Sequence, residues 1–333
     1  MDERAFLKEA LSRLDLLQAG ALPPFEALAG GVSSDIWRVD LPSGPICIKC
    51  ALAKLRVEMD WRVPVGRNAY EVAWMETARE IEPDAAPEIL ARDTAAGLFA
   101  MPYLDPATHL PWKEELRQGR ADPAVAAEVG RRIGHIHAAT AGRDEIARQF
   151  PTDEIFHAIR LEPYLEATAT RHPDLRDILF GLSRRTAGEK RALVHGDVSP
   201  KNILIGPKGP VFLDAECAWY GDPVFDIAFC LKHLLLKSLW NTEAQPLFNE
   251  CFGAMARAWL DQVDWEPPAE AEARAASLLP GLFLGRVDGK SPVEYVTQEA
   301  DRDRVRRVAR ALLLHPVDRL EGVLDAWKKE LAH

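Results

Sequence analysis

Apolar residues along the first hundred positions change period several times. Phe6, Leu7, Leu11, Leu14 and Leu17 recur at helical spacing, which predicts an amphipathic helix over 3–18. Past a glycine-containing stretch, Ala29 to Ser34, the spacing becomes that of strands. Ile36–Val39 and Ile46–Ile48 flank a turn at Leu41–Pro45, giving an antiparallel pair that starts with a glycine-rich loop. A connecting segment, Ala51–Gly66, precedes a second helical pattern over 67–80, with Tyr70, Val72, Trp74, Met75 and Ala78 as its apolar positions. Pro83 and Pro87 end it, and Ile89-Leu90 and Leu98–Met101 add strands.

After Pro102–Pro106 the pattern turns predominantly helical. A long helix is predicted over 122–139, opened by Asp122 as N-cap and Pro123 in the first turn. Two more follow over 153–169 and 173–187. The apolar runs 203–205 and 211–213, separated by Gly206–Pro210, read as a β-hairpin. Residues 222–333 read as mostly helical apart from a charged loop, Gly285–Pro292. The expected organisation is α+β, with an N-terminal unit over 1–104 and a larger, mostly helical unit over 105–333.

With 333 residues, 47% of them hydrophobic, the chain can fill two moderate cores. A net charge of −10 argues against a nucleic-acid partner, because such affinity comes mainly from Lys and Arg on phosphates. The cysteines (47, 50, 217, 230 and 251) are odd in number. Cys47 and Cys50 have no second pair to make a metal site, so reduced thiols are expected. The N-terminus lacks a signal-peptide core and no apolar run reaches spanning length, so a cytoplasmic protein with no membrane partner is expected.

Chemistry concentrates in Leu193–Ile205 and Val211–Glu216. Asp197 lies five residues before Asn202, and Asp214 twelve beyond it, with apolar β-formers around both acids. The hairpin would hold Asn202 and Asp214 together at one end. Phosphoryl transfer from a nucleotide uses this set: a carboxylate to take the hydroxyl proton, an amide and a second carboxylate to hold Mg2+. Asp197 is the candidate base; Asn202 and Asp214 are the candidate metal ligands. His195 reads as a brace of the loop.

His195-Gly-Asp-x-x-x-x-Asn202, Leu213–Glu216 and Tyr220–Ala228 together resemble the aminoglycoside phosphotransferase and choline kinase group, over roughly residues 25 to 235. Ile48–Ala51, Leu55–Val57, Trp61, Pro64 and Arg67-x-x-x-Glu71 resemble methylthioribose kinase within it. The resemblance implies a bilobal protein-kinase-like fold, ATP and Mg2+ as cofactors, and a small-molecule acceptor. It implies that Lys49 pairs with the α/β-phosphates and with Glu71. Gly30, Gly31, Ser33 and Ser34 would cover the phosphates, and Ala100, Met101 and Tyr103 would belong to the adenine-reading hinge. An ammonium in the apolar run Ile48–Cys50 calls for a buried partner on physical grounds too. Arg67 is open to two readings, a site residue or an i,i+4 partner of Glu71. Asp226 would receive backbone N–H groups of the catalytic loop, Glu216 would support the site, and His137 would sit in the core.

The loop Val198–Lys201 followed by Asn202 departs from the group's usual Leu-His after the Asp and from the serine that methylthioribose kinase carries at the Asn place. That departure argues against methylthioribose as acceptor. It also puts Lys201 beside the site, either neutralising the nucleotide's phosphates or facing solvent. No Asp-Phe-Gly or Ala-Pro-Glu follows Asp214, which argues against a protein kinase. The expectation is a kinase of a sugar, polyol or amino-sugar-like metabolite, with an aminoglycoside antibiotic kinase or a regulatory nucleotide-binding pseudokinase as alternatives. Residues 241–333 hold 16 acidic and 12 basic residues, an excess too small to suit a polycation. Arg286 and Asp288 in the charged loop are the candidate acceptor-binding pair.

Overall fold

A computed structural model of the chain describes residues 3–17, 22–28, 34–52 and 66–332. A five-stranded antiparallel sheet is formed by β1 (Phe25–Ala27), β2 (Ser34–Leu41), β3 (Gly44–Ala51), β4 (Ala91–Asp93) and β5 (Leu98–Pro102), in the order β1-β2-β3-β5-β4. Period-two alternation divides its side chains between two covers. Trp37, Val39, Ile46, Ile48, Leu98 and Ala100 meet Leu7, Leu11 and Leu14 of the N-terminal helix segment. Cys47, Phe99 and Met101 face the other way, against Val72, Trp74 and Met75 of the Arg67–Ile81 helix. Lys49 is two residues from Cys47 and so shares the face that looks at this helix. Pairing of β4 starts later than the apolar pair Ile89-Leu90 suggests: Leu90 contributes only an N–H to the Ala100 carbonyl, at 2.9 Å.

The rest is mainly helical. Asp122 caps the Pro123–Thr140 helix by accepting from the Ala124 N–H at 2.8 Å. The expected hairpin forms between β8 (Ile203–Gly206) and β9 (Gly209–Phe212), with β6 (Leu110–Pro111) along the β8 edge. A short pair joins β7 (Ala192–Val194) to β10 (Trp219–Gly221). The helical stretch begun at Asp153 widens into a π-helix over His157–Glu166, which contains Pro163. A proline has no N–H for the ladder, and locally widened turns of this kind often sit at functional sites.

One expectation fails. Gly285–Asp288 is not a loop but the last turn of the Pro268–Asp288 helix. A Cβ at Gly285 would run into the Tyr164 carbonyl, so the glycine permits close helix packing rather than a chain reversal. Among the described residues the five cysteines are free, and no helix is long and apolar enough to cross a membrane.

Candidate active site

The site is assembled at the edge between the N-terminal sheet and the hairpin. The Lys49 Nζ lies 2.7 Å from Glu71 Oε1 and 2.6 Å from Asp214 Oδ1, joining β3, the Arg67–Ile81 helix and the end of β9. Lys49 and Glu71 are almost fully buried. Burial works against the ammonium, but Asp214 and Glu71 outweigh it and hold Lys49 protonated. Burial pushes Glu71 up to about 7, with Lys49 opposing. Burial would raise Asp214 too, yet Lys49 and Lys201 keep it ionised, below the ordinary carboxylate range. Asp214 has φ of 67°, in the left-handed region that Asp tolerates better than most side chains but that still costs of order 1 kcal/mol.

Asp197 is held from three sides. Its N–H donates to His195 Nδ1 at 3.1 Å, and its carbonyl accepts from Asn202 Nδ2 at 3.1 Å. Its carboxylate meets Arg160 at 3.0 Å and Lys201 at 3.1 Å. Burial alone would raise this carboxyl; Arg160 and then Lys201 reverse the sign and keep it below the ordinary value. The Asn202 amide therefore directs its nitrogen at the loop, leaving Oδ1 for another partner. Asn202 and Asp214 are neighbours through the ladder: Ile203 pairs with Phe212, and the Leu213 N–H donates to the Asn202 carbonyl at 2.9 Å.

Beneath the loop, Asp226 accepts from the N–H groups of His195 and Gly196 at 2.7 and 2.8 Å. His137 Nδ1 accepts from the Trp259 indole at 3.1 Å, so its Nε2 carries the proton given to Asp226 at 3.1 Å. His195 is buried, and burial lowers its pKa, so it braces as a neutral ring. Gly196 has φ of 79°, and a Cβ there would lie 2.5 Å from the Cys217 carbonyl.

Ser34 is buried at the start of β2, whereas Gly30, Gly31 and Ser33 lie outside the described residues, as do the expected 55–57, 61 and 64 positions. Ala100 and Met101 lie on β5 with Tyr103 just beyond. The Ala100 carbonyl and the Tyr103 N–H are already engaged by Leu90 and by Pro45, so two backbone groups of the expected hinge are committed to neighbouring chain. Arg67 pairs with Glu216 at 2.8 Å and donates to the Leu52 carbonyl at 2.7 Å, tying the helix start to the Asp214 segment. Arg286 and Asp288 part company. Arg286 lines a hollow that also contains Lys201. Asp288 pairs with Arg306 and His172, each at 2.8 Å, so both of its oxygens are engaged within the protein. Arg160 was not singled out by its sequence context: it lies 36 residues from the Gly196 carbonyl that its Nε reaches, and only the widened helix aims it there.

A profile of the phosphotransferase enzyme family matches residues 25–273, and the chain belongs to that family. It is 24% identical to methylthioribose kinase 1 of Oryza sativa subsp. japonica over 222 residues, covering 58% of this chain and 51% of that protein. The methylthioribose kinase of Pectobacterium atrosepticum is also 24% identical, over 57% of this chain and 54% of its own. The chain thus spans about half the length of the curated relatives it matches. In structure it is similar to amicoumacin kinase hAmiN, solved with AMP-PNP and Ca2+, at 14% identity and a TM-score of 0.59 over 96% of each chain. The shared fold is the protein-kinase-like one that the resemblance implied.

Proposed function

We propose that this protein is an ATP-dependent phosphotransferase that moves the γ-phosphate to a hydroxyl of a small molecule. The observation that carries the reading is the convergence of Lys49, Glu71 and Asp214 within 2.7 Å contacts, beside an Asp197 kept ionised by Arg160 and Lys201. Phosphoryl transfer depends mostly on positioning and charge, and each of those groups has a place in it. Lys49, freed from Asp214 when phosphates enter, is positioned to bind their oxygens while Glu71 keeps its direction. Asp197 orients the acceptor hydroxyl and takes its proton as the oxygen attacks. Lys201, half-exposed, lies where it can neutralise charge on the transferring group.

Among the described residues no three His, Cys, Asp or Glu side chains converge as a complete metal cage. One amide oxygen and one carboxylate, Asn202 and Asp214, suit Mg2+ that takes its other ligands from phosphates and water. The ion would neutralise phosphate charge there. Relatives named methylthioribose kinases support a sugar or polyol as acceptor class over a protein. The test is titration with ATP in the presence and absence of Mg2+. Asp214→Ala should lose most of the magnesium-dependent gain and keep the metal-free affinity. Equal Mg·ATP affinity in variant and wild type would remove Asp214 from the metal site.

A further inference from the structure

Lys201, which reaches the Asp197 carboxylate, also lines a hollow of about 40 Å³. Its wall carries Lys113, Lys201, Lys237 and Arg286, and a single carboxylate, Glu294, which Lys113 already pairs. Lys237 is 1% exposed and stands 4.4 and 4.9 Å from the ring centres of Trp240 and Tyr295. On the same helix, Val224–Trp240, Lys232 is fully buried, its Nζ 2.7 Å from the Phe229 ring centre and 4.8 Å from the Tyr164 ring centre, with no hydrogen-bond partner among the described residues. Arg286 donates to the Tyr164 hydroxyl at 3.1 Å, yet its Nε is likewise buried without a partner. Buried cations are ordinarily paired, and an unpaired one destabilises the fold. A group that opposes folding and lies next to a reaction centre points to a ligand that supplies the missing charge.

We propose that the acceptor carries a compact anionic group, a carboxylate or phosphate monoester, which seats in this basic hollow and presents a hydroxyl to Asp197. The proposal rests on the phosphotransferase reading above and narrows its substrate class. The size of the hollow fits it: a water needs roughly 10–15 Å³ of such space, so 40 Å³ holds a small anion but not a sugar ring. The carbon chain then lies in the open cleft. Lys201 links the two parts, since it lines the hollow and reaches Asp197 at 3.1 Å. Burial, then Lys113, lowers Lys237 to about 7, so an anion bound against this wall would favour its protonated form. An amino-sugar polycation would meet like charge here. The acidic excess over 241–333 misleads because Asp288 and Glu294, the carboxylates nearest Arg286 in sequence, are consumed by Arg306, His172 and Lys113.

The experiment uses the full chain saturated with Mg·AMP-PNP, so that anions cannot enter the nucleotide site. Four probes with one six-carbon skeleton are titrated: sorbitol, D-gluconate, sorbitol phosphate and the cationic glucamine. At least one anionic probe should bind about tenfold or more tighter than sorbitol, the size of a single charged hydrogen bond, and glucamine should bind weakest. Which anion binds tighter distinguishes a carboxylate from a phosphate acceptor. Lys237→Met and Arg286→Met, each checked for folding by its melting temperature, should erase the preference and leave Mg·AMP-PNP affinity unchanged. Lys232→Met should raise the melting temperature of the ligand-free protein while weakening the anionic probe. Absence of anionic preference, glucamine binding tightest, or variants that keep the wild-type preference would overturn the proposal. Failure to bind Mg·AMP-PNP at all would instead overturn the phosphotransferase reading beneath it.

Discussion

Lys49→Met removes the cation that Glu71 and Asp214 share, and the structure sets both the size and the pH dependence of the effect. Both contacts are short, 2.7 and 2.6 Å, and Lys49 and Glu71 are out of solvent. Removing one partner of a buried ion pair costs about 3–5 kcal/mol, and the lower end applies here because Glu71 can take up a proton. The pH dependence follows from Glu71. Its folded pKa, about 7, lies above the ordinary 4.5, so its contribution favours the fold below the unfolded value and is lost as pH rises through 7. Without Lys49 the folded value climbs further and that loss continues to higher pH. The difference between wild type and Lys49→Met should therefore widen above pH 7 by about 1.4 kcal/mol per pH unit. Urea denaturation near pH 6 and near pH 8 measures it. Adding Glu71→Gln to Lys49→Met should remove the widening and recover part of the stability, with activity still absent. A destabilisation below about 1 kcal/mol, or one that is flat across this pH range, would refute the buried pairing.

Two further outcomes concern the catalytic loop. Lys201→Met should move the acid limb of kcat upward: Asp197 is held below its ordinary value against burial by Arg160 and Lys201, so losing one cation raises the pH at which the base becomes protonated. A pH–rate profile identical to wild type would leave Lys201 without influence on Asp197. Gly196→Ala should destabilise the protein by roughly 1–3 kcal/mol and depress turnover, because its Cβ collides with the Cys217 carbonyl and φ is 79°. Wild-type melting and activity would contradict the close packing.

Local patterns made much of this molecule legible from sequence. An ammonium in the apolar run Ile48–Cys50 called for a buried partner and the resemblance named Glu71; the two lie 2.7 Å apart. The runs on either side of Gly206–Gly209 similarly fixed the neighbourhood of Asn202 and Asp214. Long-range aiming was not legible. Arg160 reads as an ordinary helical residue, since nothing local announces a π-helix that swings it under Gly196. Gly285 misled because a glycine in a charged stretch looks like a turn, whereas here it lets the helix pass the Tyr164 backbone. Lys232 and Lys237 are isolated lysines in the apolar Val224–Trp240 helix, and only packing shows that both are buried. Arg67 had two open readings, and the contact with Glu216 lies across 149 residues, beyond any i,i+4 rule.

The central claim, that this cleft transfers a phosphoryl group with Asp197 as base, is tested most directly by following the γ-phosphate itself. Wild type and Asp197→Asn are incubated with Mg2+ and γ-labelled ATP in the presence of a pool of small hydroxyl compounds, and label is sought in acid-stable small-molecule product. Wild type should transfer label. Asp197→Asn should bind Mg·ATP with unchanged affinity yet transfer about 10²–10⁴-fold more slowly, the range of a general base. Transfer by Asp197→Asn at the wild-type rate, or a wild type that binds no Mg·ATP, would contradict the account.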